Sequence, residues 1–270
     1  MKKILFLLAV SIGFLGHSQA QDVNDITKKV LAACANADNI TYDFTSFERF
    51  SNKKVNSHIE FKYQSSPLKI YANSLSPTKA QLLYIPSQSS KVQVKKGLKI
   101  KLDRHSSMLI KDQHHSIDNA GFGTFKRIIE QSIKSKGLTV NSPKLASFIK
   151  VLGTVTYDGK KCWAAEINDD DYRIINHKVA ADETTVWKLG AKLAIPEYRV
   201  KELNDIGNEL TPGQIIKIPS SYAKKTTVYI DQATYLPIYQ KMEDDKGVYE
   251  IYEFKNLKTN VKFTNSDFTL

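Results

Sequence analysis

Two adjacent histidines, His114 and His115, stand beside Asp112 and Asp118 and form the densest cluster of groups that could hold a metal ion or move a proton. Neighbouring side chains on a strand point to opposite faces, so the pair is poorly placed to share one ion. The polar sequence around it reads as a surface turn. Asp169, Asp170 and Asp171 run consecutively but lack the glycine and distal glutamate of a calcium loop, and read as a solvated break between elements. No nucleophile elbow, HExxH pair or phosphate loop occurs. The residues therefore name no catalytic group, no metal and no cofactor.

Cys34 and Cys162 are the only cysteines and permit one disulfide. Both lie in apolar contexts, one in an early helix and one in a strand, so they read either as that bridge or as two buried thiols. Their spacing fits neither a metal site nor a redox pair.

The first residues carry an export signal: Lys2 and Lys3, an apolar stretch from Ile4 to Leu15, then Ser18-Gln19-Ala20 as a small-residue cleavage context. The expected signal peptide is 1–20, and no cysteine follows the cut to carry a lipid. No apolar run reaches the roughly 20 residues of a spanning helix, so an integral membrane protein is not expected. The expected location is the periplasm or the extracellular side, in association with the cell envelope. Without Lys2 and Lys3 the formal charge falls from +11 to +9. The remaining lysines are spread along the chain without a long like-charged run, which reads as a solvated basic surface and not a nucleic-acid patch. A diffuse attraction to anionic envelope polymers is compatible with it.

The elements that must position any site come from two periods. A helical stripe of Ile26, Val30 and Ala33 predicts a helix over 22–36 with Asp25 as its cap, and Phe125, Ile128, Ile129 and Ile133 predict another over 123–135. Elsewhere the period is two: Ile40, Tyr42 and Phe44; Ile59, Phe61 and Tyr63; Leu98, Ile100 and Leu102. Strands are also expected over 148–157, 161–167, 226–230, 236–242 and 248–254, with Asp158-Gly159 as a two-residue hairpin turn. So many antiparallel strands should curl, with the two helices on the concave side.

Residues 171–220 break this pattern. A helical period runs over 186–203, followed by Thr211-Pro212-Gly213-Gln214 and a short strand 215–218. Thr184 or Thr185 can cap the first helix, Pro196 suits the start of the second, and Asn204 can end it in a left-handed conformation. The segment 177–222 resembles the LysM family. Thr185-Val186-Trp187 matches the start of its first helix, Ile195-Pro196-Glu197 its inter-helix turn, Asn204 the end of its second helix, and Pro212-Gly213-Gln214 its closing turn. The resemblance implies binding of peptidoglycan or a chitin-like glycan containing N-acetylglucosamine. The implied groove lies between one loop of Glu183, Thr184, Thr185, Val186 and Trp187 and a second of Ile206, Gly207, Asn208, Glu209, Leu210, Thr211 and Pro212. Asp182-Glu183-Thr184 departs from the family, which has a glycine there that lets the loop approach the sugar closely.

The flanking sequence, 21–170 and 221–270, is similar to LolA-like half-barrels and to the exported domain-of-unknown-function relatives of LolA. The similarity rests on His58 to Tyr63 followed by Pro67, Gln81 to Pro86, Gly121-Phe122-Gly123-Thr124-Phe125, Asp231 with Leu236-Pro237, and Asn265 to Phe268. It implies a concave apolar face able to accept acyl chains, for which Phe61, Tyr63, Tyr84, Val228, Ile230 and Tyr252 are candidate lining residues; the alternative is that they pack on the two helices.

The expected protein is α+β: a curved antiparallel half-barrel packed on helices, with an inserted βααβ LysM-like module. The leading functional expectation is a non-catalytic envelope protein that binds peptidoglycan. A carrier of lipid or lipoprotein is the alternative. A wall hydrolase, a frequent companion of LysM modules, is the third.

Overall fold

The computed structural model describes residues 22–270; the expected signal peptide and its cleavage site lie outside the described residues. Helix α1 (Val23–Ala35) opens the described chain, and its cap is Asp22, whose carboxylate accepts from the Asn24 N–H at 2.9 Å. Asp25, expected as the cap, instead pairs with Lys29 one turn on. A meander of six strands follows: β1 (Asn39–Arg49), β2 (Lys54–Ser65), β3 (Leu68–Ser76), β4 (Ala80–Tyr84), β5 (Lys91–Lys96) and β6 (Leu98–Asp103). Three helices come next, α2 (Ser107–Ile110), α3 (Gly123–Ser135) and α4 (Leu145–Phe148), then the hairpin β7 (Ile149–Tyr157) and β8 (Lys160–Asn168). Asp158 and Gly159 turn it with φ of +50° and +71°, the left-handed pair that a tight hairpin requires.

After β8 the chain makes β9 (Ile174–Lys178), α5 (Val186–Leu193), α6 (Glu197–Asn204) and β10 (Ile215–Pro219). It finishes with β11 (Lys225–Asp231), β12 (Pro237–Asp244) and β13 (Gly247–Lys258). Eleven strands form one sheet in the order β6-β5-β4-β3-β2-β1-β13-β12-β11-β8-β7, while β9 and β10 pair only with each other. β8 and β11 are direct neighbours, with Asn168 opposite Lys225. The chain thus leaves the large sheet at Asn168, builds the βααβ unit, and re-enters one strand away.

The large sheet curls over α1, α3 and α4. Ile26, Val30, Phe125, Ile129, Ile133 and Leu145 pack from the helices against Ile40, Tyr42, Trp163, Val228, Ile238 and Phe254. Burying side chains of this size stabilises by about 1.5–3 kcal/mol each, which holds the helices to the concave face. Cys34 on α1 and Cys162 on β8 sit in this core as two unpaired buried thiols, the second of the two readings open from the sequence, and the possible bridge is not formed. Burial in apolar surroundings pushes the Cys34 thiol up to about 12, which keeps it neutral and unreactive.

The smaller unit has its own core of Val179, Val186, Leu189, Val200, Ile216 and Ile218, which also takes in Ile110 of α2. Thr185 caps α5 through the Lys188 N–H. Asn204 is not the left-handed stop of α6: Asp205 takes that conformation, with φ of +51°. The Asn204 amide instead donates to the Val200 and Lys217 carbonyls and accepts from the Lys217 N–H, at 2.7–2.8 Å. It staples α6 to β10.

Candidate functional site: a chamber under the sheet with a charged end

The inward stripe of β1 reads Ile40, Tyr42, Phe44, Ser46, Glu48. Period two carries all five to one face, so the stripe changes from aromatic to polar along a single strand. β13 repeats the change, from Phe254 and Tyr252 to Glu250. The two strands are paired, with Ser46 opposite Tyr252 and Glu48 opposite Glu250.

Between this face, β3 to β6, and the segment 108–128 lies a cavity of about 470 Å³, within the roughly 300–1,000 Å³ of small-ligand sites. Its walls are mainly apolar: Phe44, Ile59, Phe61, Leu82, Val94, Leu102, Leu109, Phe125, Ile128, Met242 and Phe254. Its open side is framed by β6 and α2, where Leu98, Ile100 and Met108 line the space yet are 82%, 44% and 62% exposed. Its far end is polar, with Ser46, Glu48, His115, Tyr222, Gln240 and Tyr252.

That polar end is a closed network. Glu48 accepts from the His114 backbone N–H at 3.1 Å and from the Tyr252 hydroxyl at 2.8 Å. Glu250 lies 2.7 Å from His114 Nδ1 and accepts from the Tyr222 hydroxyl at 2.8 Å. His114 Nε2 lies 3.0 Å from the Arg49 carbonyl, so both ring nitrogens face oxygen atoms. Its ring lies between Tyr198 and Tyr249, with centroids 4.7 and 4.5 Å away. His115 Nε2 is 2.8 Å from the Tyr222 hydroxyl, and its Nδ1 is 3.4 Å from Glu197 of α6. Burial would lower the affinity of His115 for its proton, but Glu197, Glu250 and Glu48 outweigh it and raise the pKa to about 9. Burial also favours the proton form of Glu250, yet His114, His115 and Tyr222 hold its carboxylate below the ordinary range. Glu48 goes the other way: burial and the facing Glu250 raise it against the pull of the histidines.

The surface-turn reading of His114 and His115 is therefore corrected: His114 is 1% exposed. Helix α2 swings the 111–116 segment across the end of the sheet, and α6 closes over it. The solvated reading of 169–171 is corrected in part, because Asp169 is buried and Lys136 ties it to Asp171 at 2.6 and 2.8 Å. Helix α6 is fastened to the same end. Tyr198 accepts from the Ser51 N–H at 3.0 Å, and the buried Arg199 pairs with Glu202, with Asp245 at 2.8 Å and with Asp244 at 3.4 Å.

Of the candidate lining residues, Phe61 and Tyr252 face the chamber. Tyr63 packs on Gly121, Tyr84 is buried beside Val92 and bonded by Arg104, and Val228 and Ile230 belong to the helix-packed core. Ser46, Glu48, Tyr222, Gln240 and Glu250 were not singled out from the sequence. Extending the Ile40-Tyr42-Phe44 alternation two steps places Ser46 and Glu48, whereas Tyr222 follows the inserted unit and carries no local signal.

The two loops of the smaller unit meet. Val186 N–H donates to the Asn208 carbonyl at 2.8 Å, Leu210 N–H to the Thr184 carbonyl at 3.0 Å, and Thr185 bridges Glu209. Val186 and Leu210 are buried in the unit's core. Glu183 is turned inward on His177, the Ala180 N–H and Lys192. Burial alone would raise its carboxyl, but these partners hold it down to about 2. The Trp187 ring lies under His105 of the β6–α2 turn, with centroids 4.4 Å apart and planes 4° from parallel. Gly207, Glu209, Thr211 and Pro212 are exposed, while Ile206 and Asn208 are half-buried.

The fold and the site together define an α+β protein with a ligand-sized apolar chamber and a buried charged end. No family model matches the chain, and no curated protein matches it either. Among solved structures, it is similar to MucB (11% identity, 92% of this chain and 62% of that one, TM-score 0.43). It is also similar to LprF from Mycobacterium bovis (10%, 90% and 95%, 0.44) and to a LolA superfamily protein from Nitrosomonas europaea (7%, 91% and 96%, 0.35). The chain spans about three fifths of the length of the MucB chains it matches. Among the described residues no helix is long and apolar enough to cross a membrane.

Proposed function

We propose that this protein is a non-catalytic carrier that holds the acyl portion of a lipid or lipoprotein in the chamber beneath its sheet. The observation that carries the reading is the chamber itself: about 470 Å³, walled by aromatic and aliphatic side chains, open on one side at Leu98, Ile100 and Met108. Apolar walls supply affinity in proportion to the ligand surface removed from water, and the few polar groups at the end set how far the ligand enters. A carrier suits the charged end better than a hydrolase does. Glu48 and Glu250 are the facing carboxylates, and both are held by tyrosine hydroxyls and by His114. Titration with a fluorescent fatty acid tests the reading. Saturable capture near one probe per chain is expected, and native mass spectrometry should show co-purifying acyl species. A chain that is empty and takes up no probe overturns the proposal.

A second reading, glycan binding by the smaller unit, is favoured by the meeting of the 183–187 and 206–212 loops and by the exposure of Gly207, Glu209, Thr211 and Pro212 at their rim. The stacked His105 covers one face of Trp187, which leaves the second loop as the accessible side. A chitooligosaccharide titration followed by amide NMR should move resonances in both loops. Scattered or absent shifts remove this reading and leave the carrier proposal untouched.

A further inference from the structure

The hairpin β5–β6 is the edge of the large sheet, and its two faces differ in kind. Leu98, Ile100 and Leu102 point into the chamber side, while Lys99 and Lys101 point away with Lys91 and Lys95. Residues 91–103 hold five lysines against one aspartate, and all five lysines are exposed. Lys95 stands directly opposite Lys99, a like-charge cross-strand pair that is unfavourable unless an anion serves both. Among the described residues no Asp or Glu side chain pairs with Lys91, Lys95, Lys96, Lys99 or Lys101; Lys99 donates to the oxygen of Leu270, the last residue, at 2.8 Å. Lys111 stands exposed across the mouth, beside Met108. At the tip Gly97, with φ of +76°, turns the chain so that Leu98 leaves the protein surface 82% exposed.

We infer that the tip of this hairpin, with Met108 opposite, docks the open side of the chamber onto an anionic phospholipid bilayer. Large exposed apolar side chains in a collar of exposed lysines are the two ingredients of interfacial binding: apolar insertion into the acyl boundary and attraction to acidic headgroups. The occupant is a lipid surface and not a second copy of this chain, because two such hairpins face to face would set lysine against lysine. The docking faces the opening at Leu98, Ile100 and Met108, so an acyl chain could pass between bilayer and chamber without crossing water. The surface stands on its own residues, and the carrier reading is tested separately.

The experiment is co-sedimentation of the purified protein with vesicles of phosphatidylcholine alone or mixed with phosphatidylglycerol. Binding is expected with the anionic vesicles and should be lost at high salt, where surface charges are screened. The triple variant Lys95→Gln, Lys99→Gln, Lys101→Gln, whose side chains do not line the chamber, should weaken partitioning roughly a hundredfold, from about fivefold per surface lysine compounded over three. Its capture of fluorescent fatty acid should be that of the parent. Leu98→Ser should weaken partitioning about tenfold. Absent binding, equal binding to neutral vesicles, or a triple variant that binds as the parent does overturns the docking. So does a concentration-dependent dimer that Leu98→Ser dissolves. Vesicle binding without probe capture overturns the carrier reading alone, and probe capture without vesicle binding overturns the docking alone.

Discussion

Glu48 and Glu250 stand directly opposite each other on β1 and β13, 3% and 0% exposed, at the polar end of the chamber. Two buried carboxylates facing across a ladder repel strongly unless cations and donors are brought to them. Here His114 and His115 come from the segment after α2, Tyr222 from the start of the returning chain, and Tyr252 from β13 itself. The pair explains why so many distant parts of the chain converge on one spot. Replacing one carboxylate strands its partners. Glu250→Gln should lower stability by about 3 kcal/mol, the usual cost of breaking a buried charged pair from one side. Denaturant unfolding followed by circular dichroism checks this, and a loss under about 1 kcal/mol would mean that the network is slack.

The network sets a pH window. His115 is raised to about 9 in the folded protein, after burial, which opposes it, is outweighed by Glu197, Glu250 and Glu48. Its contribution is therefore whole below the unfolded histidine value near 6.5 and is lost as pH rises through about 9. Glu250 is lowered, so its contribution is present above the ordinary glutamate value near 4.5 and is lost as pH falls below it. Glu48, raised by burial, opposes Glu250 on the acid side, while Glu183, lowered to about 2 by Ala180, His177 and Lys192, adds to it. Thermal unfolding should show greatest stability between about pH 4.5 and 6.5 with a decline toward pH 9. His115→Gln should flatten the alkaline limb. A profile unchanged by that substitution would assign the limb to other groups.

Ala72 tests whether the chamber is the binding site. It lies on β3 between Phe61 and Leu82 on the neighbouring strands, and all three side chains line the space. Ala72→Phe would project a ring into the chamber, with an overpacking cost of about 1–3 kcal/mol if the neighbours cannot yield. Capture of the acyl probe should weaken at least tenfold, while the unfolding transition stays cooperative. Full capture in a folded variant would place the ligand elsewhere.

Much of the frame is legible in local sequence, because strand and helix periods are local properties. The alternation of Ile40, Tyr42 and Phe44, the stripe of Phe125, Ile129 and Ile133, and the Asp158-Gly159 turn each specify their element within a dozen residues. The site is less legible, because its meaning depends on which distant element arrives. His114 and His115 sit in polar sequence that reads as surface, and only the closure of α6 over them makes them buried. Glu250 looks like an outward polar position until Glu48 is found opposite it. Asn204 is visible as a helix-ending residue, but its bonds to Lys217 depend on a strand thirteen residues away. Segment 177–222 specifies its βααβ order from its own residues, while the cover that His105 places on Trp187 comes from the β6–α2 turn, far earlier in the chain.

One small residue of the inserted unit bears on the charged end of the chamber through Glu197, which gives a last prediction. Gly190 on α5 faces Glu197 at the start of α6: a Cβ there would come within 2.4 Å of the Glu197 Cγ and 2.9 Å of its Cδ. Such distances are not tolerated, so Gly190→Ala must displace the Glu197 side chain, whose carboxylate lies 3.4 Å from His115 Nδ1. Because α6 is also held by Arg199 to Asp244 and Asp245 and by Tyr198 to Ser51, the helix as a whole is anchored and the side chain is the part free to yield. Two effects should then appear together. Stability should fall by about 1–3 kcal/mol from overpacking, although alanine is the better helix former. The His115 titration, read from its imidazole NMR resonances, should move down from about 9 as one of its carboxylate partners withdraws. A stability loss with an unmoved His115 titration would show that α5 and α6 pack without influencing the chamber. Joint movement would show that a change within the inserted unit reaches the charged end of the chamber.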